Sequence, residues 1–198
     1  MLGSITPLGE RGRGSRWWLT TSAYVAGSAA GGLAMGALMG AVGAAIFGSF
    51  GLGPRLALLA LVVAGGIALD MGVGGLHLPT VHRQVDEAWR TRYRGWVWGL
   101  GFGLQLGTGV VTIVTTSLVF ATWVAAALTG DARAGVAVGL VFGLARALPV
   151  FTVARVRRSD QLLRVDAVLA RWAEPSRRAA YAAGSAMAAV ALVGAIRW

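Results

Sequence analysis

Five long apolar blocks dominate this sequence, at residues 17–50, 56–76, 95–129, 134–154 and 179–196, and the charged residues gather in short clusters between them. Uncharged stretches of 20 or so residues are the mark of membrane-spanning helices, not of a large soluble core. Only 13% of the 198 residues are charged, where a soluble domain carries about a quarter. The expected fold is therefore an all-α integral membrane protein. It is one domain over residues 1–198, a bundle of about five transmembrane helices (six is the alternative), with no boundary for a second domain. The blocks at 17–50 and 95–129 are long for one crossing and must tilt, bend or project.

The net charge is +10, and every basic residue is Arg. Arg11, Arg13 and Arg16 precede the first block. Arg83, Arg90, Arg92 and Arg94 lie in the segment 77–94, and seven more arginines lie in the segment 155–178. The turns between the other blocks hold only Arg55 and Arg133. Basic residues accumulate on the cytoplasmic side of membrane proteins. This places the N-terminus and both long segments in the cytoplasm and the C-terminus outside, in the cytoplasmic membrane, the inner membrane of a bacterium. The arginines sit where topology puts them, so the charge does not point to nucleic acid. The first apolar block greatly exceeds the h-region of a signal peptide and reads as a retained helix. Cysteine is absent, which excludes disulfides, thiolate metal sites and thiol redox chemistry.

Both basic segments carry an apolar stripe at helical spacing: Val81, Val85, Ala88 and Trp89 in one, Leu162, Val165, Leu169 and Trp172 in the other. Arginines flank each stripe. Two interfacial cytoplasmic amphipathic helices fit this pattern; loop helices packed on the bundle fit it equally. The chain also reads as an internal repeat, 17–94 and 95–178. Each half is a Gly-rich helix, a tight turn, a helix with one charge and an amphipathic segment, as in parallel-repeat membrane folds.

In the first block Ser28, Gly32, Gly36, Gly40, Ala44 and Gly48 recur every fourth residue; Gly99, Gly103 and Gly107 do so in the third. Such small-residue stripes let helix backbones approach closely in lipid. They are expected to hold together the bundle or a homo-oligomer.

Two lone charges interrupt apolar blocks, Asp70 and Arg146. A charge in hydrocarbon persists mainly where it is paired or faces a polar interior. The two fall at similar depth on parallel helices and can pair if those helices are neighbours. Such a pair would either fix helix register or form a polar site; snorkelling of Arg146 to the headgroups is a third reading. Pro149 is expected to kink the helix beside Arg146. Gln105, Thr108, Thr112 and Thr115 give the third block a hydroxyl-rich centre, able to line a hydrophilic path or to bond back to the helix. His77 and His82, five apart around Pro79, are a poor metal pair, and no metal or cofactor is expected. No Ser–His–Asp order, paired intramembrane carboxylate or phosphate loop occurs, so no enzymatic activity is expected.

The run Leu144-Ala145-Arg146-Ala147-Leu148-Pro149, ending a Gly-rich helix among small spans, resembles the small polytopic bacterial proteins of the cytochrome c biogenesis CcdA and LysE-type exporter groups. The resemblance implies six spans and a transport or accessory role. The chain departs from the CcdA pattern by lacking the paired membrane cysteines, so dithiol transfer is lost. The expected function is a small membrane transporter or exporter-like protein with a polar site around Asp70, Arg146 and the third helix. The alternative is a non-catalytic accessory subunit of a larger membrane complex. Expected partners are the lipid bilayer and either copies of the chain or other membrane subunits.

Overall fold

A computed structural model describes residues 5–73, 94–109 and 116–198 of the chain. Helix α1 spans Pro7–Gly12, capped by Thr6, whose hydroxyl accepts from the Gly9 amide at 3.0 Å. Helix α2 follows as Trp17–Phe47, then α3 as Leu52–Asp70. Beyond the undescribed residues come α4 (Gly95–Thr108), α5 (Leu118–Leu128) and α6 (Ala132–Ala147). The 3-10 helix Leu148–Val153 leads towards α7 (Ser159–Arg197). No strand occurs among the described residues.

Helix α2 is central. Its 31 residues make it about 46 Å long at 1.5 Å per residue. Its buried positions are Thr20, Thr21, Tyr24, Gly27, Ser28, Gly31, Gly32, Gly36, Gly40 and Gly43, every one a glycine or a hydroxyl-bearing residue. Helices α4 and α6 pack on two of its faces, and α5 touches it towards its C-terminal end. Helices α3 and α7 form a second, antiparallel pair: Gly184 lies beside Val63 and Ile67, and Gly194 beside Leu56. Helix α5 packs against both groups, meeting α3 and α7 through a core of Val63, Ile67 and Ala121 flanked by Leu118 and Tyr181, and α2 where Gly43 faces Ala127.

The connections alternate between two ends of the molecule. At one end Ile5, Tyr24, Trp98, Ala147 and Val150 form a core with Trp17 beside it. At the other, Arg55 reaches Phe47 and Thr129, and Gly53 lies against Ala195 and Trp198. Helix α4 starts at the first end and α5 finishes at the second, so these two short helices together run the length of α2.

Among the described residues four helical stretches are long and apolar enough to cross a membrane: Trp17–Phe47, Leu52–Asp70, Ala132–Val153 and Ser159–Arg197. Three differences from the sequence reading concern where helices break. The block 95–129 is not one helix. Gly109 takes a left-handed conformation, φ +70°, directly after α4, a common way to stop a helix. The β-branched run Val110, Val111, Thr112, Ile113, Val114, Thr115, Thr116 follows it in the sequence and favours helix poorly. Second, α3 ends at Asp70, six residues short of the block's end, so this charge stands at a helix terminus and not inside the helix. Third, the stripe of Leu162, Val165, Leu169 and Trp172 is not on a separate helix: α7 runs through Pro175 as 39 continuous residues. Pro175 removes one amide donor, and the Glu174 carboxylate accepts from Arg177 and Arg178 across that joint. The other amphipathic segment, with His77 and His82, lies outside the described residues.

Candidate functional site

Asp70 is the last residue of α3, and α5 is the helix it serves. Its carboxylate accepts from the Thr116 hydroxyl at 2.7 Å, from the Ser117 amide at 3.0 Å and from the Ser117 hydroxyl at 3.0 Å. Ser117 occupies the N-cap of α5 without capping it by its own side chain. A carboxylate at a helix start satisfies otherwise orphaned donors and meets the positive end of the helix dipole. Asp70 therefore acts as the N-cap of α5, delivered from a different helix. The Thr116 hydroxyl also accepts from the Leu118 amide at 3.3 Å, extending the cap by one donor. Gly66, one turn earlier on α3, clears the space: a Cβ there would lie 2.7 Å from the Ser117 hydroxyl.

Arg146 belongs to another cluster. It sits in the last turn of α6 with its guanidinium 5.4 Å from the centre of the Phe142 ring. That ring meets Trp123 edge-on at 4.6 Å, and the Tyr24 phenol is an electrostatic neighbour of the guanidinium. Among the described residues the Asp70 carboxylate bonds only to Thr116 and Ser117, so the structure does not join it to Arg146. The packing explains this: α3 lies against α5 and α7, whereas α6 lies against α2. Of the hydroxyl-rich centre, Thr108 donates back to the Gln105 carbonyl at 2.8 Å within α4. Gln105 is half-buried on that helix, and Thr112 and Thr115 lie outside the described residues.

The glycine stripes sit in two seams around α2. Against α6, a Cβ on Gly32 or Gly36 would fall on the carbonyl oxygen of Gly139 or Gly135, and one on Gly40 would lie 2.5 Å from the Asp131 carbonyl. Against α4, Gly103 and Gly107 meet the carbonyls of Tyr24 and Ser28, and a Cβ on Gly99 would lie 2.7 Å from the Thr20 carbonyl. Ser28 stands where all three helices converge. Its hydroxyl donates to the Gly143 carbonyl at 2.7 Å, and its own carbonyl faces both Gly107 and Gly143.

Two polar residues escaped sequence reasoning. The Arg55 guanidinium donates to Phe47 O at 2.6 Å, Gly48 O at 3.3 Å, Thr129 O at 3.3 Å and Leu128 O at 3.5 Å. It gathers the C-terminal carbonyls of α2 and α5, the negative ends of two helices. Gly130, at φ +62°, passes so close that a Cβ would lie 2.8 Å from the guanidinium. Nothing but the lone Arg after Gly53-Pro54 hinted at this. The second residue is Glu10, fully buried. It pairs with Arg13 and accepts from the Thr20 hydroxyl at 2.8 Å, against the start of α4, where a Cβ on Gly95 would lie 2.8 Å from its carboxylate. Arg13 in turn lies over the Trp98 ring, and the Trp17 indole donates to Ile5 O at 3.0 Å. A carboxylate within an otherwise basic, Gly-rich arm was the available signal. No cluster of three or more metal-ligating side chains occurs among the described residues.

No family model matches the chain, and no solved structure matches it. Curated relatives do. The chain is 38% identical over 158 residues to the methylamine utilization protein MauF of Paracoccus versutus, covering 74% of this chain and 56% of that protein. It is 32% identical over 175 residues to the MauF of Methylophilus methylotrophus, 87% of this chain and 60% of that protein. With the MauF of Paracoccus denitrificans it shares 35% over 156 residues, 74% of this chain and 54% of that protein. The chain thus spans a little over half the length of these relatives. They correct two expectations. The CcdA and LysE-type resemblance is not supported, because the relatives carry a different name. The run at residues 144–149 is generic: it marks a helix giving way at a proline, here to the 3-10 turn Leu148–Val153. The transporter or exporter reading, built on that resemblance and on a joint Asp70–Arg146 site, falls with it.

Proposed function

We propose that this chain is a multi-pass protein of the cytoplasmic membrane that serves as a non-catalytic accessory component of a methylamine-utilisation system, assembled with other subunits of that system. The observation that carries this reading is the similarity, at up to 38% identity, to proteins named for methylamine utilization. The use of the polar groups supports it. Asp70, Arg55 and Ser28 are spent on closing helix ends and seams within the chain, which suits a scaffold. The glycine seams are likewise filled by the chain's own helices, which favours other subunits over copies of the chain as partners. The reading has five crossings: α2, α3, α4 with α5 as one broken crossing, α6 with its 3-10 extension, and the second half of α7. The arginine-rich end that holds Trp17 and Trp98 faces the cytoplasm.

Deleting the gene in its host tests the role. Growth on methylamine is expected to fail while growth on ammonium with another carbon source is unchanged. Normal growth on methylamine would overturn the proposal. A tagged copy purified in mild detergent is expected to bring down other membrane components of the same system.

A further inference from the structure

Helix α7 is twice as long as a membrane requires. Its 39 residues extend about 58 Å, against roughly 30 Å of hydrocarbon. Among the described residues its packing on α3 belongs to the second half, with Gly184 beside Ile67 and Ala195 beside Gly53. The first half carries an apolar face, half-buried at Val165 and Leu169 and open at Val168 and Trp172. Val165, Val168, Leu169 and Trp172 fall within an arc of about 100° at 100° per residue. Val168 is 50% exposed and Trp172 64%. Arg164 and Arg171 border this arc, about 40° and 60° beyond Val168.

We propose that residues 155–174 dock on anionic phospholipid headgroups at the surface where α7 enters the bilayer, swinging about Pro175. The inference rests on the membrane reading above. Charge selects the occupant. Residues 155–178 hold seven arginines against three carboxylates, and basic amphipathic helices with aromatic apolar faces are drawn to anionic leaflets. The tether selects it too, because a helix continuous with a span cannot leave the membrane surface by more than its own length. Pro175 supplies the joint: it offers no amide to the Arg171 carbonyl and disfavours helix at Glu174. The straight form is held there by Glu174 with Arg177 and Arg178, whose side chains are 59% and 78% exposed. Exposed pairs of this kind contribute little, and lipid phosphates can replace Glu174 as the arginines' partner.

The chain has no cysteine, so single labels can be placed by Val168→Cys, Leu163→Cys and Val190→Cys. Leu163 lies about 140° around the helix from Val168, and Val190, 73% exposed, lies in the membrane half. Spin-labelled protein is placed in nanodiscs of phosphatidylcholine alone and of phosphatidylcholine mixed equally with phosphatidylglycerol. Accessibility to oxygen and to a water-soluble nickel chelate is then measured. In the mixed lipid the Val168 label should rise severalfold in its oxygen-to-chelate ratio while the Leu163 label stays open to the chelate. Arg164→Glu with Arg171→Glu should abolish that rise. A Val168 label equally open to the chelate in both lipids would overturn the proposal. So would one equally oxygen-exposed in both, which removes the need for anionic lipid. A label shielded from both reagents would overturn it in favour of a protein contact. A chelate-accessible Val190 label would show instead that the membrane reading itself fails.

Discussion

Remove the Asp70 carboxylate and the Ser117 amide and two hydroxyls lose their acceptor at the start of α5. Losing an N-cap costs about 0.5–2 kcal/mol, and stranding a half-buried donor adds a comparable amount. Asp70→Ala is therefore expected to destabilise the protein by about 2 kcal/mol, and Asp70→Asn, which keeps one acceptor, by about half as much. For a chain of this size 1 kcal/mol moves the thermal midpoint by about 2–4 °C, so melting in detergent followed by loss of the monodisperse peak separates the two variants. The swap Asp70→Arg with Arg146→Asp should rescue nothing, since each residue serves a different cluster. A swapped protein that melts like the parent would contradict the geometry. Arg55 poses the complementary case. Its planar fork reaches four carbonyls on two helices, and a lysine ammonium on a single stem cannot match that spread. Arg55→Lys is expected to recover only a minor part of what Arg55→Met loses, which is of the order of 2 kcal/mol in the same melting measurement.

At the scale of elements, glycines of equal helix propensity divide by what stands opposite them. A Cβ on Gly36 would fall on the Gly135 carbonyl, and backbone cannot move aside as a flexible side chain can. A Cβ on Gly65 of α3 would meet nothing within 4 Å. Gly36→Ala is expected to force α2 and α6 apart and destabilise the fold by about 1–3 kcal/mol, the range of overpacked cores. Gly65→Ala should be neutral or stabilise by up to about 1 kcal/mol through helix propensity. Urea-induced loss of helical circular dichroism on the two purified variants gives the comparison; equal stabilities would refute the seam. The same contrast marks what the sequence could say. Four-residue spacing showed that Gly32, Gly36 and Gly40 share a face, because helix period is a local property. It could not show that Gly135 and Gly139 answer them, because partner choice is made by the whole bundle. The break after α4 was legible in Gly109 and the β-branched run behind it, signals outweighed by the hydropathy of the block. The continuity of α7 was not: the change from the basic segment 155–178 to the apolar block 179–196 divides the sequence there, and the ion pairs beside Pro175 appear only once the helix is built. Glu10 and Arg55 were visible only as charges beside apolar blocks, since their partners are backbone and hydroxyl groups remote in the chain.

The whole molecule has two unlike ends. One gathers the Ile5–Trp98–Val150 core, the buried Glu10 and the start of α4, together with Arg11, Arg13, Arg16, Arg94, Arg155, Arg157 and Arg158. The other holds the turns around Arg55 and Asp131 and the last residue, Trp198, with Arg133 and Arg197 the other arginines there. The bias of arginine is thus a property of the assembled ends and not only of segments along the chain. If α4 and α5 together make one crossing, Arg94 and Arg133 must lie on opposite faces of the membrane, with Ser159 back on the face of Arg94. If that stretch turned back instead, Arg133 and Ser159 would still be separated by α6, but Arg133 would share a face with Arg94. Single cysteines at Arg94, Arg133 and Ser159 decide among these arrangements with a membrane-impermeant maleimide on intact cells. Labelling is expected at Arg133→Cys alone, with Arg94→Cys and Ser159→Cys reacting only after the membrane is permeabilised. Protection of all but Ser159→Cys in intact cells would mean that α4 and α5 do not cross together, and that the arginine-rich ends do not set the orientation.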